Sequence, residues 1–391
     1  MNGQALYDLA PAAHIALLGL ALATGPLAWV WLRQRDMAPA ARLRALTWLA
    51  LFLTLDLVVF GAFTRLTDSG LGCPDWPGCY GNASPLGAQT QIDAAQASLP
   101  SGPVTQGKAW IEMIHRYLAT AVGVLIVVLA AASWSEHRRV ARAGASTGVS
   151  PWWATATLLW VCLQGAFGAL TVTMKLNPAV VTAHLLGGIA LLALLAAQAQ
   201  GYGRERNVLP HSLRAGTLAV LALSIAQVAL GGWVSTNYAV LACTDFPTCQ
   251  GSWWPAMEFG QGFALRRELG QTSDGAWLPF AALTAIHYAH RLLAYAVLTV
   301  IALLCWRVAV AARRLPWLGR WVWALAGVAL WQFASGLANV LLGWPIAAAL
   351  AHTAGAAALV ALLVSLLAHA GVARPVPSLR RGAELQPGAA H

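Results

Sequence analysis

Nine long apolar stretches, separated by short polar segments, dominate the pattern of residues along the chain. Each has roughly the 20 residues that a helix needs to cross a bilayer core. None alternates as the strands of an outer-membrane barrel do. Because a backbone in lipid must satisfy its own hydrogen bonds, we predict nine transmembrane helices. They are expected at about residues 12–32, 44–64, 111–133, 152–173, 179–200, 212–234, 282–306, 317–342 and 348–370.

Composition agrees with this pattern. Of 391 residues, 59% are apolar and 10% are charged, whereas soluble domains have about 25% charged residues. The first stretch has no basic segment before it and is followed by "RQRD" instead of a small-residue cleavage site. It is therefore expected to be an uncleaved helix. We predict an all-α polytopic membrane protein.

The arginines predict the orientation, because cytoplasmic loops are enriched in Lys and Arg. Arginines cluster in alternate connections, which nine helices place on one face. The N-terminus is then outside, and the two long loops, about 65–110 and 235–281, lie on the outer face. The net charge of +10 thus indicates orientation and does not indicate nucleic acid. The clustered residues are Arg33, Arg35, Arg42, Arg44, Arg138, Arg139, Arg142, Arg204, Arg206, Arg214, Arg307, Arg313, Arg314, Arg320, Arg374, Arg380 and Arg381.

An internal repeat organises the chain. The stretch "GAFTRLTDSGLGCPDWPGCYG" at 61–81 aligns without gaps with "GGWVSTNYAVLACTDFPTCQG" at 231–251. The correspondence continues in the pairs "IHRYLA" and "AHRLLA", "LQGAFGAL" and "WQFASGLA", and "TAHLLGGIALLALL" and "LAHTAGAAALVALL". Helices two to five and six to nine thus form tandem pseudo-symmetric four-helix bundles of equal orientation. We predict an extra N-terminal helix and its connection (1–40), an N-terminal bundle (41–205), a C-terminal bundle (206–372) and a disordered cytoplasmic tail (373–391).

Four histidines recur at equivalent places near the outer ends of their helices: His115, His184, His290 and His352. Two such helices in each bundle place two imidazoles at one depth, as axial ligation of a planar haem requires. A single intramembrane histidine is as often a packing residue. Ionisable groups in the membrane are costly, so four in register favour a functional site. Zinc is less well supported, because neither bundle supplies a third or fourth ligand at metal spacing.

Charged residues accompany these histidines. Arg116 and Arg291 directly follow His115 and His290; they either extend to lipid headgroups or pair with haem propionates, for which forked donors are suited. The repeat breaks three residues before each of these histidines, where Glu112 corresponds to His287. Glu112 is either an interfacial carboxylate near a helix N-terminus or a proton acceptor beside a reacting group, the interpretation we favour. His287 is then an accessory residue of the other bundle.

Each outer loop carries two cysteines, which suggest a metal clamp, a redox pair or a staple. Two sulfurs alone make a poor metal site, and the outer face permits oxidation. We therefore predict the disulfides Cys73–Cys79 and Cys243–Cys249, each stabilising its loop by at most about 2–4 kcal/mol. A redox role is more plausible for the first pair.

The chain resembles the haem A synthases of bacterial and mitochondrial membranes over about residues 45–370. The motifs that carry the resemblance are "TRLTDSGLGCPDWPGCYG", "EMIHR", "AHLLGG", "HYAHR" and "AHTAG". The resemblance implies oxidation of a methyl substituent of haem O to a formyl group, giving haem A for cytochrome oxidase by successive hydroxylations. Family members commonly have eight helices, so the first helix is a departure.

By position, the resemblance implies that His290 and His352 bind a haem b cofactor (iron protoporphyrin IX). His115 and His184 then flank the iron of the substrate haem O, with Glu112 as the catalytic carboxylate. It also implies a bacterial inner-membrane location and, as partners, the haem O synthase (protohaem farnesyltransferase) and cytochrome oxidase assembly factors. Membrane lipid surrounds the chain. The sequence identifies neither the electron acceptor nor the oligomeric state, and a homo-oligomer is one option.

Three other classes of protein share part of the pattern. A di-haem electron-transfer protein of the cytochrome b type would use the four histidines but gives no reason for Glu112 to break the repeat. A membrane thiol oxidoreductase would use the outer cysteines and leave the histidines without a role. A repeat-built transporter would tolerate an intramembrane carboxylate but does not predict four equivalent histidines.

Overall fold

The computed structural model describes residues 9–143, 150–202 and 207–371. Five of the arginines used for the orientation lie outside these ranges, as does the predicted tail: Arg204, Arg206, Arg374, Arg380 and Arg381. The α-helices are α1 (Ala10–Gln34), α2 (Pro39–Leu66), α3 (Gln89–Ser98), α4 (Gln106–Arg142), α5 (Pro151–Thr173), α6 (Pro178–Gly201), α7 (His211–Thr236), α8 (Phe259–Gly262), α9 (Phe280–Ala312), α10 (Gly319–Leu341) and α11 (Ile346–His369).

Nine of these helices, all except α3 and α8, are long and apolar enough to cross a membrane within the described ranges. Each overlaps one predicted stretch, so the prediction of an all-α polytopic membrane protein is confirmed. Local signals mark the helix starts. Thr105, Ser150 and Asn177 accept hydrogen bonds from the first backbone N–H groups of α4, α5 and α6, which relieves donors that have no partner inside the helix.

The long helices pack as two four-membered rings. In the first, α2, α4, α5 and α6 each contact two neighbours in that order around the ring; in the second, α7, α9, α10 and α11 do the same. Since α2 corresponds to α7 and α6 to α11, the two rings are the two copies of the repeat. The predicted pair of tandem bundles is confirmed.

The two bundles meet along α6 and α11, flanked by the contacts of α2 with α11 and of α7 with α6. Exchange of the two copies interchanges these flanking contacts, as a pseudo-two-fold axis between α6 and α11 requires. The apolar core of the first bundle continues across this boundary to Ala357 and Val360 of α11. Because lipid is as apolar as these side chains, close packing and not exclusion of water stabilises such contacts.

Residues at equivalent positions of the repeat also contact each other at the end of the axis where the cysteine loops begin. Nη2 of Arg65 donates to the carbonyl of its counterpart Ser235 at 2.7 Å, and the hydroxyl of Tyr238 donates to its counterpart Asp68 at 2.6 Å. The Arg65 guanidinium also lies 3.9 Å from the centre of the Tyr238 ring. These contacts tie the end of α2 to the end of α7.

Helix α1 lies outside the repeat, as predicted, and packs mainly against α4 and also against α2. A small element was not predicted: Asn207–Val208 pairs in parallel with Ala370–Gly371. This two-residue pairing joins the segment before α7 to the end of α11.

Candidate functional site

The C-terminal histidine pair lies inside the second ring. His290 of α9 and His352 of α11 have ring centroids 6.5 Å apart and planes at 84°. In a metal ion bound by two imidazoles on opposite sides, each metal–nitrogen bond is about 2 Å long and each nitrogen lies roughly 1 Å from its ring centre. The two ring centroids are then about 6 Å apart. The observed spacing therefore matches two imidazoles that share one metal ion.

Both histidines of this pair have a polar partner. Nδ1 of His352 lies 3.1 Å from Oγ of Ser335, whose hydroxyl donates to the carbonyl of Trp331 at 2.7 Å. With its single proton on the Trp331 carbonyl, the Ser335 hydroxyl is an acceptor for Nδ1–H of His352 in the tautomer that leaves Nε2 free as a ligand. The amide nitrogen of Gln227 lies 3.1 Å from Nδ1 of His290 and donates to the carbonyl of His290 at 3.0 Å.

The N-terminal pair, His115 of α4 and His184 of α6, occupies the equivalent positions of the first ring. Its surroundings differ. Phe60 stacks on the ring of His115 at a centroid distance of 6.2 Å and an angle of 11°. Within the described residues, Nδ1 of both histidines is buried without a hydrogen-bond partner. The imidazoles of this pair are thus held by apolar contacts.

A glycine on a neighbouring helix accommodates each of the four imidazoles. Sequence reasoning did not single out these glycines, although each occurs in an aligned stretch of the repeat. A Cβ added at Gly61, Gly231 or Gly336 would crowd the histidine, because contacts at 3.0–3.4 Å are tighter than packed side chains normally make, whereas one at Gly168 would meet its histidine in ordinary contact. The distances from such a Cβ to the Cε1 atom are 3.1 Å for Gly61 and His115, 3.5 Å for Gly168 and His184, 3.0 Å for Gly231 and His290, and 3.1 Å for Gly336 and His352.

Glu112 lies one turn before His115 and is only 4% exposed. Oε1 of its carboxylate accepts from Arg116 at 2.5 Å, and Oε2 accepts from the backbone N–H of Cys73 at 2.8 Å. This burial does not fit an interfacial carboxylate that faces solvent. The carboxylate instead lies beneath the first cysteine loop, bonded to a guanidinium on one oxygen and to a backbone N–H on the other.

His287 takes the corresponding place in the second bundle. It is 7% exposed, and its Nδ1 lies 3.0 Å from the carbonyl of Ala239. The two bundles therefore differ at this place by a carboxylate in one and an imidazole in the other, each bonded to the segment that follows α2 or α7.

The two arginines bind the cysteine loops. Nη1 of Arg116 donates to the carbonyls of Asp75, Pro77 and Gly78 at 3.0, 3.1 and 2.5 Å. Nη1 of Arg291 donates to the carbonyls of Asp245 and Thr248 at 2.9 and 2.6 Å. In the structure both guanidinium groups thus close the loop over their bundle. Contact with haem propionates stays a prediction.

Both predicted disulfides are present. Cys73–Cys79 and Cys243–Cys249 join Cα atoms 4.9 and 4.8 Å apart, and all four cysteines are buried. The loops share further detail. Asp75 accepts from the N–H groups of Tyr80 and Gly81, as Asp245 does from those of Gln250 and Gly251. Gly81 and Gly251 have φ of 70° and 72°, a backbone conformation that glycine adopts without strain.

The donors of each bundle fit a haem better than an isolated metal ion. Among the described residues, no third His, Cys, Asp or Glu joins either pair to form a three-ligand cluster. Two opposed imidazoles are a complete axial set for a haem iron, whose other ligands come from the porphyrin. The glycines that accommodate the imidazoles, and the free Nε2 of His352, agree with this use.

Comparison with known proteins agrees with these features. The family model COX15-CtaA, described as cytochrome oxidase assembly protein, matches residues 44–364. A "Heme A synthase" of Shewanella oneidensis is 36% identical over 329 residues, covering 82% of this chain and 95% of the relative. One from Methylobacterium sp. is 29% identical over 362 residues, covering 86% and 94%. One from Caulobacter sp. is 29% identical over 339 residues, covering 79% and 90%.

The matched region covers most of both bundles, all four histidines and both cysteine loops, and it leaves out α1. Its bounds, 44–364, are close to the residues 45–370 over which the motifs resemble haem A synthases. The chain belongs to the COX15-CtaA family of cytochrome oxidase assembly proteins.

Proposed function

We propose that the chain is a haem A synthase, an oxidoreductase that converts a methyl substituent of haem O into the formyl group of haem A. Membership of this family makes it a membrane enzyme of haem chemistry. The observation that carries the finer proposal is the asymmetry between the bundles. Both hold a pair of histidines, but among the residues that the structure describes only the N-terminal bundle places a buried carboxylate, Glu112, one turn from a histidine of its pair.

The two histidine pairs then have different roles. His290 and His352 would hold a resident haem b, which would supply electron transfer. His115 and His184 flank the iron of the substrate haem O. The ring spacing of the C-terminal pair supports the first role, and the unpartnered Nδ1 atoms of the N-terminal pair support the second.

Glu112 is proposed to take the proton that oxidation of the substrate methyl releases. Its carboxylate is bonded to Arg116 and to the N–H of Cys73, so both oxygens are held in one orientation. A general base fixed by two such bonds has a defined direction toward the substrate. The same contacts make the cysteine loop a cover that limits access of water to the bundle.

The orientation follows from the arginines. We infer that the N-terminus and the two cysteine loops face the periplasm of a bacterial inner membrane, where disulfides persist. The haem O synthase and cytochrome oxidase assembly factors are the partners that this activity requires. Oxidation of the methyl group also requires an electron acceptor.

The test is the identity of the haem product. Membranes from cells that make haem O and express this chain are extracted, and the haems are separated by chromatography and identified by mass. The proposal expects haem A in these membranes and none in cells without the chain. A chain that binds two haems and yields only haem O would instead be an electron-transfer cytochrome, which shares the four histidines.

A further inference from the structure

The hydrogen-bond partners of the histidines differ between the two bundles, although the histidines themselves are equivalent. In the C-terminal bundle, Ser335 and Gln227 contact Nδ1 of His352 and His290 at 3.1 Å each. In the N-terminal bundle, Nδ1 of both histidines is buried and unpartnered among the described residues. Alignment of the two copies of the repeat shows which two positions account for this difference in hydrogen-bond partners.

The alignment of "LQGAFGAL" with "WQFASGLA" places Phe167 opposite Ser335. The alignment of α2 with α7, extended back from Gly61 and Gly231, places Leu57 opposite Gln227. The backbone register is the same in both bundles, since Gly168 and Gly336 each lie next to the Cε1 atom of the following histidine of their bundle. The two bundles therefore differ at these two positions by a polar residue in the C-terminal bundle and an apolar residue in the N-terminal bundle.

An imidazole that ligates a metal through Nε2 carries a proton on Nδ1, and an acceptor for that proton fixes the tautomer and the ring orientation and makes the ligand more basic. Ser335 is such an acceptor, because its own proton is used on the carbonyl of Trp331. Gln227 acts differently, because its amide nitrogen is a donor: it donates to the carbonyl of His290 and lies 3.1 and 3.4 Å from Nδ1 and Nε2 of the ring, so it restrains the position of the imidazole without accepting a proton from it. Phe167 and Leu57 have no polar atom with which to do the same.

We propose that Ser335 and Gln227 are positioning residues that make the C-terminal histidine pair a permanent haem site, whereas Phe167 and Leu57 keep the N-terminal pair an exchangeable one. This inference rests on the proposed function, in which one haem stays and the other leaves as product. It assigns to four side chains the difference between a cofactor site and a substrate site.

The test measures haem release from the full chain reconstituted with iron protoporphyrin IX, by transfer to excess apomyoglobin. In a His115→Ala/His184→Ala background only the C-terminal pair is left to bind haem. There, Ser335→Ala is expected to release haem about 10- to 100-fold faster, the usual effect of removing such a partner. The absorption spectrum should lose low-spin character, and Ser335→Thr, which keeps the hydroxyl, should restore both the rate and the spectrum.

Two further variants make the test independent of one substitution. Gln227→Leu installs the N-terminal residue and is expected to speed release in the same background. In a His290→Ala/His352→Ala background, Phe167→Ser is expected to slow release from the N-terminal pair. Circular dichroism of each variant reports whether the helices are intact, so that unfolding is not mistaken for loss of a ligand.

The outcomes separate this inference from the proposed function. If His352→Ala binds haem as the wild type does, the C-terminal pair is no haem site and both proposals fail. If His352→Ala loses haem but Ser335→Ala and Gln227→Leu release it at the rate of the unsubstituted background, only the positioning role is overturned.

Discussion

The backbone N–H of Cys73 donates a hydrogen bond to Oε2 of Glu112 at 2.8 Å. This contact joins a disulfide-closed loop to a buried carboxylate of a spanning helix, 39 residues further along the chain. Arg116 completes the arrangement, since it bonds the other carboxylate oxygen and three carbonyls of the same loop. Loop, arginine and carboxylate therefore form one connected network above the N-terminal histidine pair.

The role of Glu112 predicts a selective loss of product. Glu112→Gln keeps the size of the side chain and an acceptor for the N–H of Cys73 but removes the proton-accepting charge. We expect formation of the formyl product to fall about 10²- to 10⁴-fold, the usual contribution of a general base, while haem b stays bound. Chromatography of extracted haems measures the first effect and a pyridine haemochrome spectrum the second.

Glu136→Gln is the matched control, because this carboxylate lies on the same helix but pairs with Arg139 near its other end. It should leave product formation unchanged. Normal turnover of Glu112→Gln would refute the role assigned to Glu112.

The glycines beside the imidazoles predict that added bulk displaces a ligand. In Gly336→Val the new Cβ, 3.1 Å from Cε1 of His352, and its two methyl groups require the imidazole to move. We expect the C-terminal haem to be lost or to become high-spin, as measured by the haem-to-protein ratio and the absorption spectrum. Gly327→Val on the same helix meets open space and should retain haem; equal occupancy in the two variants would contradict the prediction.

The disulfides predict a loss of stability on reduction. Each closes a loop of sequence separation 6, for which chain entropy gives a stabilisation of about 2–3 kcal/mol. Cys73→Ser/Cys79→Ser and Cys243→Ser/Cys249→Ser should both lower the thermal unfolding temperature. The first variant should also lower product formation, because its loop holds Glu112, whereas the second should chiefly weaken haem retention. Equal effects on product would show that the first loop has no special link to Glu112.

The stability of the second cysteine loop is expected to depend on pH through Asp245. This residue lies outside the membrane-spanning helices. A hydrogen bond from the Thr248 hydroxyl, aided by the N–H groups of Gly251 and Gln250, lowers the pKa of its carboxyl group to about 2. Because the pKa is lower in the folded state, the stabilisation is complete above the ordinary value near 3.8 and is lost as pH falls through about 2. Asp245→Asn should unfold at a lower temperature than the wild type at pH 7, and this difference should shrink on acidification. A difference that is constant with pH would contradict the prediction.

Much of the fold was predictable because the bilayer restricts a backbone to a few solutions. Each apolar stretch became one helix, and the repeat in residues 61–81 and 231–251 predicted the two bundles. The cysteine pairs were also predictable, since each closes a short loop within a single segment. The short pairing of Asn207–Val208 with Ala370–Gly371 could not be predicted, because two residues carry no periodic signal and their partners are far apart in sequence.

The site was predicted in part. The four histidines and Glu112 were found from their positions in the repeat, because ionisable residues are rare in apolar helices. The contacts of Arg116 and Arg291 with loop carbonyls were not predicted, since the sequence shows only that a guanidinium follows a histidine and not which acceptors surround it. The glycines beside the imidazoles were present in the aligned stretches but carry no chemistry that marks them.

The sequence alone determined the spanning helices of the described residues, the duplication and the four histidines at equivalent positions, because these depend on hydropathy and on residue type at repeated positions. Only the tertiary structure decided how the two copies differ. Ser335 and Gln227 bond the C-terminal histidines, Phe60 stacks on His115, and Cys73 anchors Glu112. Each of these contacts joins different helices or a helix and a loop, and the distance and direction that make it a bond exist only once the bundles are packed.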